Sequence, residues 1–499
     1  MIQIYILIVL VIVLVVIYCV TQRKFIKLSW QLPGPPLVPF FGNALHFICK
    51  DEDIFEKCVE LISQYPSPMR GWFGPKMVVI FSKIEHINKI MSSMKFTQKD
   101  NVYRFIQQFD GESLISGSGI KWKNDRRLMT HMFLKRNIEQ YFPQILNHVK
   151  IMLEKLEPES LNGSTFNIEH YVHRCATDFV DETIIGIKTD AQNGEMDEFI
   201  KQESRMYVIV HARILKVWLQ YDWMFRLSHY WKEHEEGKKI IHGFMRKALY
   251  SARERRKTGQ NVEGPPSFLD LMLDILKEHP NWATDEEIDH HLTTMYSASE
   301  DTVTTICCFT FVLLGMYPNI QNRLVEEIKN VVGKKYVELD DLPKLNYLDM
   351  CVKDVLRLFP IAPFIMRIPS EDVKIGNYLI PKGCSTVVSI QSLHRDPDLW
   401  EKPNDFYPEH FLPDAVSKRP VYSYMPFSAG PRGCLGRPYA DMAMKIIIVS
   451  TLQRYEFESD GCLQEKRLRT DISVRFWDDQ YPVRIKKRVQ NVHTMSENN

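Results

Sequence analysis

Cys434 sits in PFSAGPRGCLG, residues 426–436, among Gly430, Gly433 and Gly436 and two positions after Arg432. A helical pattern, ADMAMKIIIVSTLQRYEF, resumes close behind it, so the thiol stands at a helix entrance, where the dipole and unpaired backbone N–H groups favour thiolate. The glycines permit a tight turn and close approach to a flat object. Arg432 is placed to neutralise an anionic group on that object. Three chemistries compete: a buried structural cysteine, a catalytic nucleophile, and a thiolate ligand to a haem iron. A nucleophile wants a basic partner, and none is identifiable nearby. Haem offers a flat ring, two propionates for arginines, and an iron that a thiolate drives toward O–O cleavage.

The second constellation is ATDEEIDHHLTTMYSASEDTVTTICCFTFVLLGMYP, residues 283–318. Thr284 is its N-cap, acids fill its first turn and Pro318 stops it, which predicts a helix of roughly 50 Å. Its middle, SASEDTVTT, is small and polar, and buried carboxylates are costly unless paired or hydrated. Glu300 and Asp301 therefore imply a polar cavity beside the helix, or else a solvated face. His290 and His291 lack the i, i+4 spacing of metal ligands, and no C-x-x-C pair occurs.

Phe427, Gly430, Arg432, Cys434 and Gly436 together resemble F-x-x-G-x-R-x-C-x-G, the haem-ligand signature of the cytochrome P-450 family. GIKWKNDRR is similar to the family's W-x-x-x-R segment, in which Trp122 and Arg126 meet a haem propionate. Arg367 in PFIMRIP resembles the strand arginine that holds the other propionate. KDVLRLFP lies where the family has E-x-x-R, here Asp354 to Arg357, and FYPEHF where it has P-E-R-F. The matches run in order along nearly the whole chain and look most like family four and its insect relatives. Two departures stand out. Asp354 is one methylene shorter than the usual Glu, so its pair with Arg357 is expected to close by a backbone shift or water, and His410 replaces the usual arginine. These structural residues position the thiol loop, and a looser haem pocket is the expectation.

The resemblance implies a mainly α fold with a smaller β-sheet region, a long central helix over haem and a Cys-ligand loop. It also implies a monooxygenase using non-covalent, thiolate-ligated haem b, O2 and NADPH-derived electrons. The family's A/G-G-x-D/E-T-T/S can be laid on the central helix in two registers. Seventeen residues from Asp301 to Pro318, as in family-four-like chains, select Ala298, Ser299, Glu300, Asp301, Thr302 and Val303. Asp301 and Thr302 then organise water and relay protons, a general acid task. The other register makes Glu300 the acid and puts Asp301 in the threonine's place. Ala298 stands where fatty-acid ω-hydroxylases of family four carry a haem-esterified glutamate, and it cannot form that bond. The alternatives are a hydroperoxide-using isomerase or dehydratase, against which Asp301 and Thr302 argue, and a ligand-sequestering protein without turnover, motivated by Ser299, Val303, Asp354 and His410.

These residues must be carried by a large body. The chain has 499 residues, 45% hydrophobic, with 63 basic against 62 acidic side chains, a balance that supplies no field for nucleic acid. Ile4 to Val20 is uncharged, about 25 Å as a helix. It lacks a positive n-region and a small-residue cleavage site, as a retained anchor would. Arg23, Lys24 and Lys27 follow it and no charge precedes it, so the body faces the cytosol, and the resemblance to microsomal members implies the endoplasmic reticulum membrane. Ten scattered cysteines fit a reducing compartment. The predicted organisation is an anchor over 1–22, a basic and proline-rich linker over 23–50 stiffened by LPGPPLVPFFGN, and a catalytic domain over 51–499.

From about Asp51 to His279 the pattern is mainly helical, as in FPQILNHVKIMLEKL and FLDLMLDILKEH. RERRKTGQNVEGPPS reads as a surface loop ending in Ser267, an N-cap. Beyond Pro360, DVKIGNYLIPKGCSTVVSI alternates as short antiparallel strands. Val208 to Trp231, rich in aromatics and bases, is a packed helix or a membrane-touching lip. The resemblance places the substrate-channel roof there and YRFIQQFDGESLISGSG on the other wall, suiting a lipophilic substrate drawn from the bilayer. GSG at 117–119 is no dinucleotide fingerprint. Electrons are therefore expected from NADPH–cytochrome P-450 reductase, with cytochrome b5 a further candidate donor. Lys121, Lys123, Lys135 and Arg136 are a candidate docking patch.

Overall fold

The computed structural model describes residues 2–38, 42–74, 76–260 and 264–488. Its axis is the central helix Asp285–Met316. A capping box starts it: Glu287 N donates to Thr284 Oγ1 (3.2 Å) and Thr284 N to Glu287 Oε2 (2.8 Å). Tyr317 ends it, and Pro318 opens the next helix, Pro318–Val331. From Val303 to Leu314 the helix is buried all round, the mark of a helix enclosed by protein. The helices Glu169–Val180, Tyr230–Thr258 and Arg437–Arg454 pack on it. Phe309 stacks flat on Phe359, their centroids 3.9 Å apart.

A five-stranded sheet flanks this helical mass in the order Met69–Phe73, Lys76–Phe81, Ser385–Ser389, Phe364–Ile368, Gln98–Lys99. Lys76–Phe81 and Ser385–Ser389 pair in parallel and the other pairs are antiparallel. Three of its strands therefore come from the stretch the pattern assigns mainly to helices. KMVVIF is buried from Met77 to Phe81, so it shows no polar alternation by which a strand is recognised. The predicted strands around Gly376 are present as Val373–Ile375 and Tyr378–Ile380.

The N-terminal helix Ile2–Thr21 exposes Ile4, Ile6, Leu10 and Ile17 and is long and apolar enough to cross a membrane. The region 23–50 is not a bare linker. Arg23–Gln31 is a helix, and Leu28 and Leu32 are buried in the core beside the sheet. Trp72 Nε1 donates to Ser29 Oγ (2.9 Å). The proline segment is tied down by Arg70 N to Pro33 O (2.8 Å), Arg70 Nη1 to Pro35 O (3.0 Å) and Asn43 Nδ2 to Pro36 O (2.9 Å). Its residues 39–41 lie outside the described residues. The predicted surface loop is helical through Thr258, where Gly259 caps the helix in the left-handed region, and Ser267 caps Phe268–Glu278 in a capping box with Asp270.

Candidate active site

The thiol loop is closed by Cys434 N donating to Phe427 O (2.9 Å), Gly433 N to Gly430 O (3.0 Å) and Ser428 N to Met425 O (2.9 Å). Gly430 has φ +64°, and a Cβ there would lie 2.2 Å from Met91 O, so no other residue fits. Gly433 and Gly436 have negative φ; Gly436 caps the helix Arg437–Arg454. Of the three, Gly430 is the one its own backbone demands. Cys434 is exposed to the cleft, while protein surrounds its other sides. That burial pushes its thiol pKa up, over the lowering by the Gly436 and Arg437 amides and the Arg126 guanidinium. The thiolate thus needs a further positive partner to form at neutral pH.

Cations without anions surround it. Arg126 Nη2 donates to Gly433 O (2.6 Å), and Arg367, buried, donates to Met366 O (2.8 Å). Arg432 lies 3.5 Å above the Trp122 ring and donates to Thr97 O (2.8 Å) and Gly117 O (2.6 Å). It therefore clamps the thiol loop onto the 97–118 segment as well as facing the cleft. Burial, with Arg367 and Arg126 beside it, pushes Arg432 down to about 9. A fourth cation, Lys99, is held well below the usual lysine range by burial and by Arg367 and Arg432. Sequence reasoning missed Lys99, because its place follows from pairing opposite Arg367 in the sheet. Among the described residues no carboxylate comes within ion-pairing distance of any of these four. Trp122 Nε1 is buried with no acceptor. Mutual repulsion and an orphaned N–H are what a ligand carrying two carboxylates relieves, and with a cysteine facing the same cleft, these residues fit haem.

On the central helix, Ser297, Ala298, Ser299 and Thr302 are half-exposed while every other side chain from His291 to Leu314 is buried. The helix lies inside the body, so this stripe faces an internal cavity. The two acids do not. Glu300 Oε1 lies 2.5 Å from His173 Nε2, and Asp301 is bound by Ser473 and Arg475, the latter also paired with Asp471 at 3.1 Å. The expectation that these carboxylates mark the cavity is thereby corrected: small residues line it, Asp301 is bound by Arg475 and Ser473, and Glu300 lies against His173 with neither of its oxygens hydrogen-bonded among the described residues. Thr302, whose Oγ1 donates to Ala298 O (2.8 Å), is on the open stripe and Asp301 is not.

Behind the thiol, Asp354 and Arg357 meet directly, with Nε to Oδ1 at 2.6 Å and Nη2 to Oδ2 at 3.3 Å. No backbone shift or bridging water is needed, against expectation. His410 Nδ1 is 2.9 Å from Asp354 Oδ1, and Tyr407 N donates to Oδ2 (2.6 Å). In the candidate docking patch, Lys121 is paired with Glu287 (2.9 Å) and Lys135, which stays exposed, with Glu139 (3.3 Å); Lys123 and Arg136 are exposed and make no ion pair among the described residues. Val208 to Trp231 is not one packed helix: Asp197–Leu215 ends and two short turns follow, exposing Trp218, Tyr221, Trp223 and Leu227.

A family model described as Cytochrome P450 matches residues 32–475. The chain is 29% identical over 483 residues to cytochrome P450 4c3 of Drosophila melanogaster, spanning 92% of this chain and 90% of that protein. It is 30% identical over 452 residues to cytochrome P450 4V2 of Mus musculus (88% and 86%) and 31% over 467 residues to cytochrome P450 4V2 of Rattus norvegicus (90% and 89%).

Proposed function

The chain belongs to the cytochrome P450 family, whose members are monooxygenases using thiolate-ligated haem b, O2 and NADPH-derived electrons, and from that premise we propose that it is a membrane-anchored enzyme oxidising a lipophilic substrate with electrons from NADPH–cytochrome P450 reductase. The observation that carries this reading is the open Cys434 thiol in a cleft of carboxylate-free cations. Cys434 would hold the iron, and Lys99, Arg126, Arg367, Arg432 and Trp122 Nε1 its carboxylates, without an ester link because Ala298 has no carboxyl. Haem bound there supplies the redox centre at which one atom of O2 enters the substrate and the other leaves as water.

The remaining work falls to the chain. Thr302, on the accessible stripe, donates its Oγ1–H to Ala298 O and keeps the lone pairs of the same oxygen free to accept a hydrogen bond from the cavity. Ala298 and Ser299 keep that face of the helix low, leaving room for substrate. The Asp354–Arg357 pair holds the thiol loop in register. The anchor helix and the exposed Trp218, Tyr221, Trp223 and Leu227 set the substrate entrance against a bilayer, with the endoplasmic reticulum membrane as its location.

The test is a difference spectrum of the reduced, carbon-monoxide-bound protein, for wild type and Cys434→Ala, followed by spectral titration with a lipophilic panel. A strongly red-shifted thiolate band that the substitution abolishes supports the reading. A band typical of histidine or neutral thiol ligation, or no haem uptake, overturns it.

A further inference from the structure

A chain of polar groups runs from the surface to the middle of the central helix. Glu169, whose side chain is 25% exposed, sits 2.7 Å from His173 Nδ1, and the other imidazole nitrogen, Nε2, is 2.5 Å from Glu300 Oε1. Glu300 is 1% exposed. Nδ1 is thus hydrogen-bonded to a carboxylate that reaches solvent, while Nε2 stands close to a buried one without hydrogen-bond alignment. Beyond Glu300 lies Glu203, on the helix Asp197–Leu215, whose Oε1 accepts from Ser297 Oγ (2.6 Å) and Tyr207 OH (2.9 Å). Ser297 belongs to the half-exposed stripe. Solvent and cavity are thus flanked by one imidazole and two buried carboxyls, Glu300 and Glu203, which are coupled through their charges with no direct hydrogen bond between them.

We propose that Glu169, His173 and Glu300 form a proton-intake relay for the monooxygenase reaction, with Glu203 and Ser297 as its outlet to the cavity. The inference rests on the monooxygenase reading, since that reaction consumes two protons and two electrons for each O2 in forming one hydroxyl and one water. The proton balance is closed. His173 passes its Nε2 proton to Glu300, which hands it on toward Glu203 and Ser297; the ring then turns and regains a proton that Glu169 has taken from solvent, so each proton delivered is one drawn from solvent and no electron moves. Asp301, the acid the family pattern puts beside Thr302, is tied by Arg475 and Ser473, so a second source of protons has a task.

Against burial, the hydrogen bond and charge of His173 hold Glu169 below the usual carboxylate range, so it passes protons inward without storing them. Despite burial, the Glu300 and Glu169 carboxylates raise His173 well above the ordinary histidine value. Burial and the Glu300 charge raise Glu203 to about 8, so it retains a proton at neutral pH. The charged groups facing this set are Glu169 and His170 on the helix Glu169–Val180, Asp181 immediately after it, Glu300 and Asp301 on the central helix, Glu203 on Asp197–Leu215, and Arg475 on the strand Val474–Phe476.

The test compares His173→Gln and the surface variant Glu169→Gln with wild type, as full-length holoenzymes with reductase and NADPH. Two readouts are product formed per NADPH and the solvent deuterium isotope effect. A third is the rate at which the buried carboxylic acid infrared band exchanges in D2O, which needs no turnover. The relay predicts about a 10-fold loss of coupled turnover, a modest share of what positioned proton donors contribute. It also predicts a changed isotope effect, carboxyl exchange slowed by a similar factor, and recovery in Glu169→Asp. If His173→Gln fails to fold, Glu169→Gln carries the same test. Coupling, isotope effect and exchange all at wild-type values overturn the relay, including where only thermal stability falls, since a purely structural pair would do that. Absence of the thiolate band in wild type would overturn the monooxygenase reading instead, and the exchange measurement would still report on the proton path.

Discussion

Removing the Asp354 carboxylate isolates the contribution of the cluster behind the thiol loop. Asp354 and Arg357 are both fully buried. In Asp354→Ala the guanidinium loses its only charge partner among the described residues and keeps the Trp400 ring and the carbonyls of His394 (3.1 Å), Pro403 (2.6 Å) and Asp405 (2.7 Å). The Tyr407 N–H and His410 Nδ1–H lose their acceptor as well. Breaking one side of a buried pair costs about 3–5 kcal/mol, and the stranded N–H groups, which share this site, keep the value near the top of that range. Urea unfolding followed by both the carbon monoxide band and tryptophan fluorescence measures it, with the band expected to disappear first. Asp354→Glu should also destabilise, by about 1–3 kcal/mol, because a methylene is forced into a contact already closed. In a double-mutant cycle, Asp354→Ala with Arg357→Met should cost less than the sum, since no unpaired charge remains. A loss below about 1 kcal/mol in Asp354→Ala, or a Glu variant more stable than wild type, would refute the direct pairing on which the reasoning depends.

Gly430→Ala should cost about 1–3 kcal/mol and lower haem retention per mole of protein, because φ +64° and Met91 O at 2.2 Å leave no room for a Cβ. His394, driven down to about 3 by burial and then by Arg357, is neutral in the fold and accepts from Met425 N (2.9 Å). Its unfolded value is near 6.5, so its contribution is complete above that pH and is lost as pH falls from there toward 3. Urea midpoints at pH 5 and pH 7.5 should differ less in His394→Gln than in wild type. Restoring the family's arginine with His410→Arg should lower Tm, by about 1–3 kcal/mol of stability, because burial, and then Arg357, already depress Arg395, to about 10, and Arg419.

The thiol loop and the central helix were legible because their signals are local: fixed residue types at fixed offsets, and caps that satisfy a helix end within four residues. The N-terminal strands were not, since MRGWF and KMVVIF carry the composition of any buried run. The helix Arg23–Gln31 was hidden between an obvious apolar span and an obvious proline segment, and Leu28 and Ser29 reveal its role only against Trp72. Glu300 and Asp301 were recognised as costly, yet their partners His173 and Arg475 lie more than 120 residues away and nothing in the chain announces them. Lys99 is the same case, as its neighbour Arg367 is brought by sheet register.

The two departures from the family pattern explain each other. His410 Nε2 accepts from Lys402 N at 3.4 Å, which assigns the proton to Nδ1, facing Asp354. A short acid thus meets a short neutral donor where a longer acid would meet a longer cation. The cation that His410 does not supply comes from nine residues on: Arg419 Nη2 donates to His410 O (2.7 Å) and its guanidinium lies 4.1 Å over Trp400, against which Arg357 also rests at 5.2 Å. The link to the thiol is unchanged by this rearrangement. Arg357 Nη1 holds His394 O, and His394 Nε2 receives the Met425 N–H, immediately before the loop that begins at Pro426. What Asp354 and His410 alter is the charge and reach behind Arg357, while the side of Arg357 that faces the loop keeps its partners, so the geometry at Cys434 is preserved by the one residue both departures leave in place.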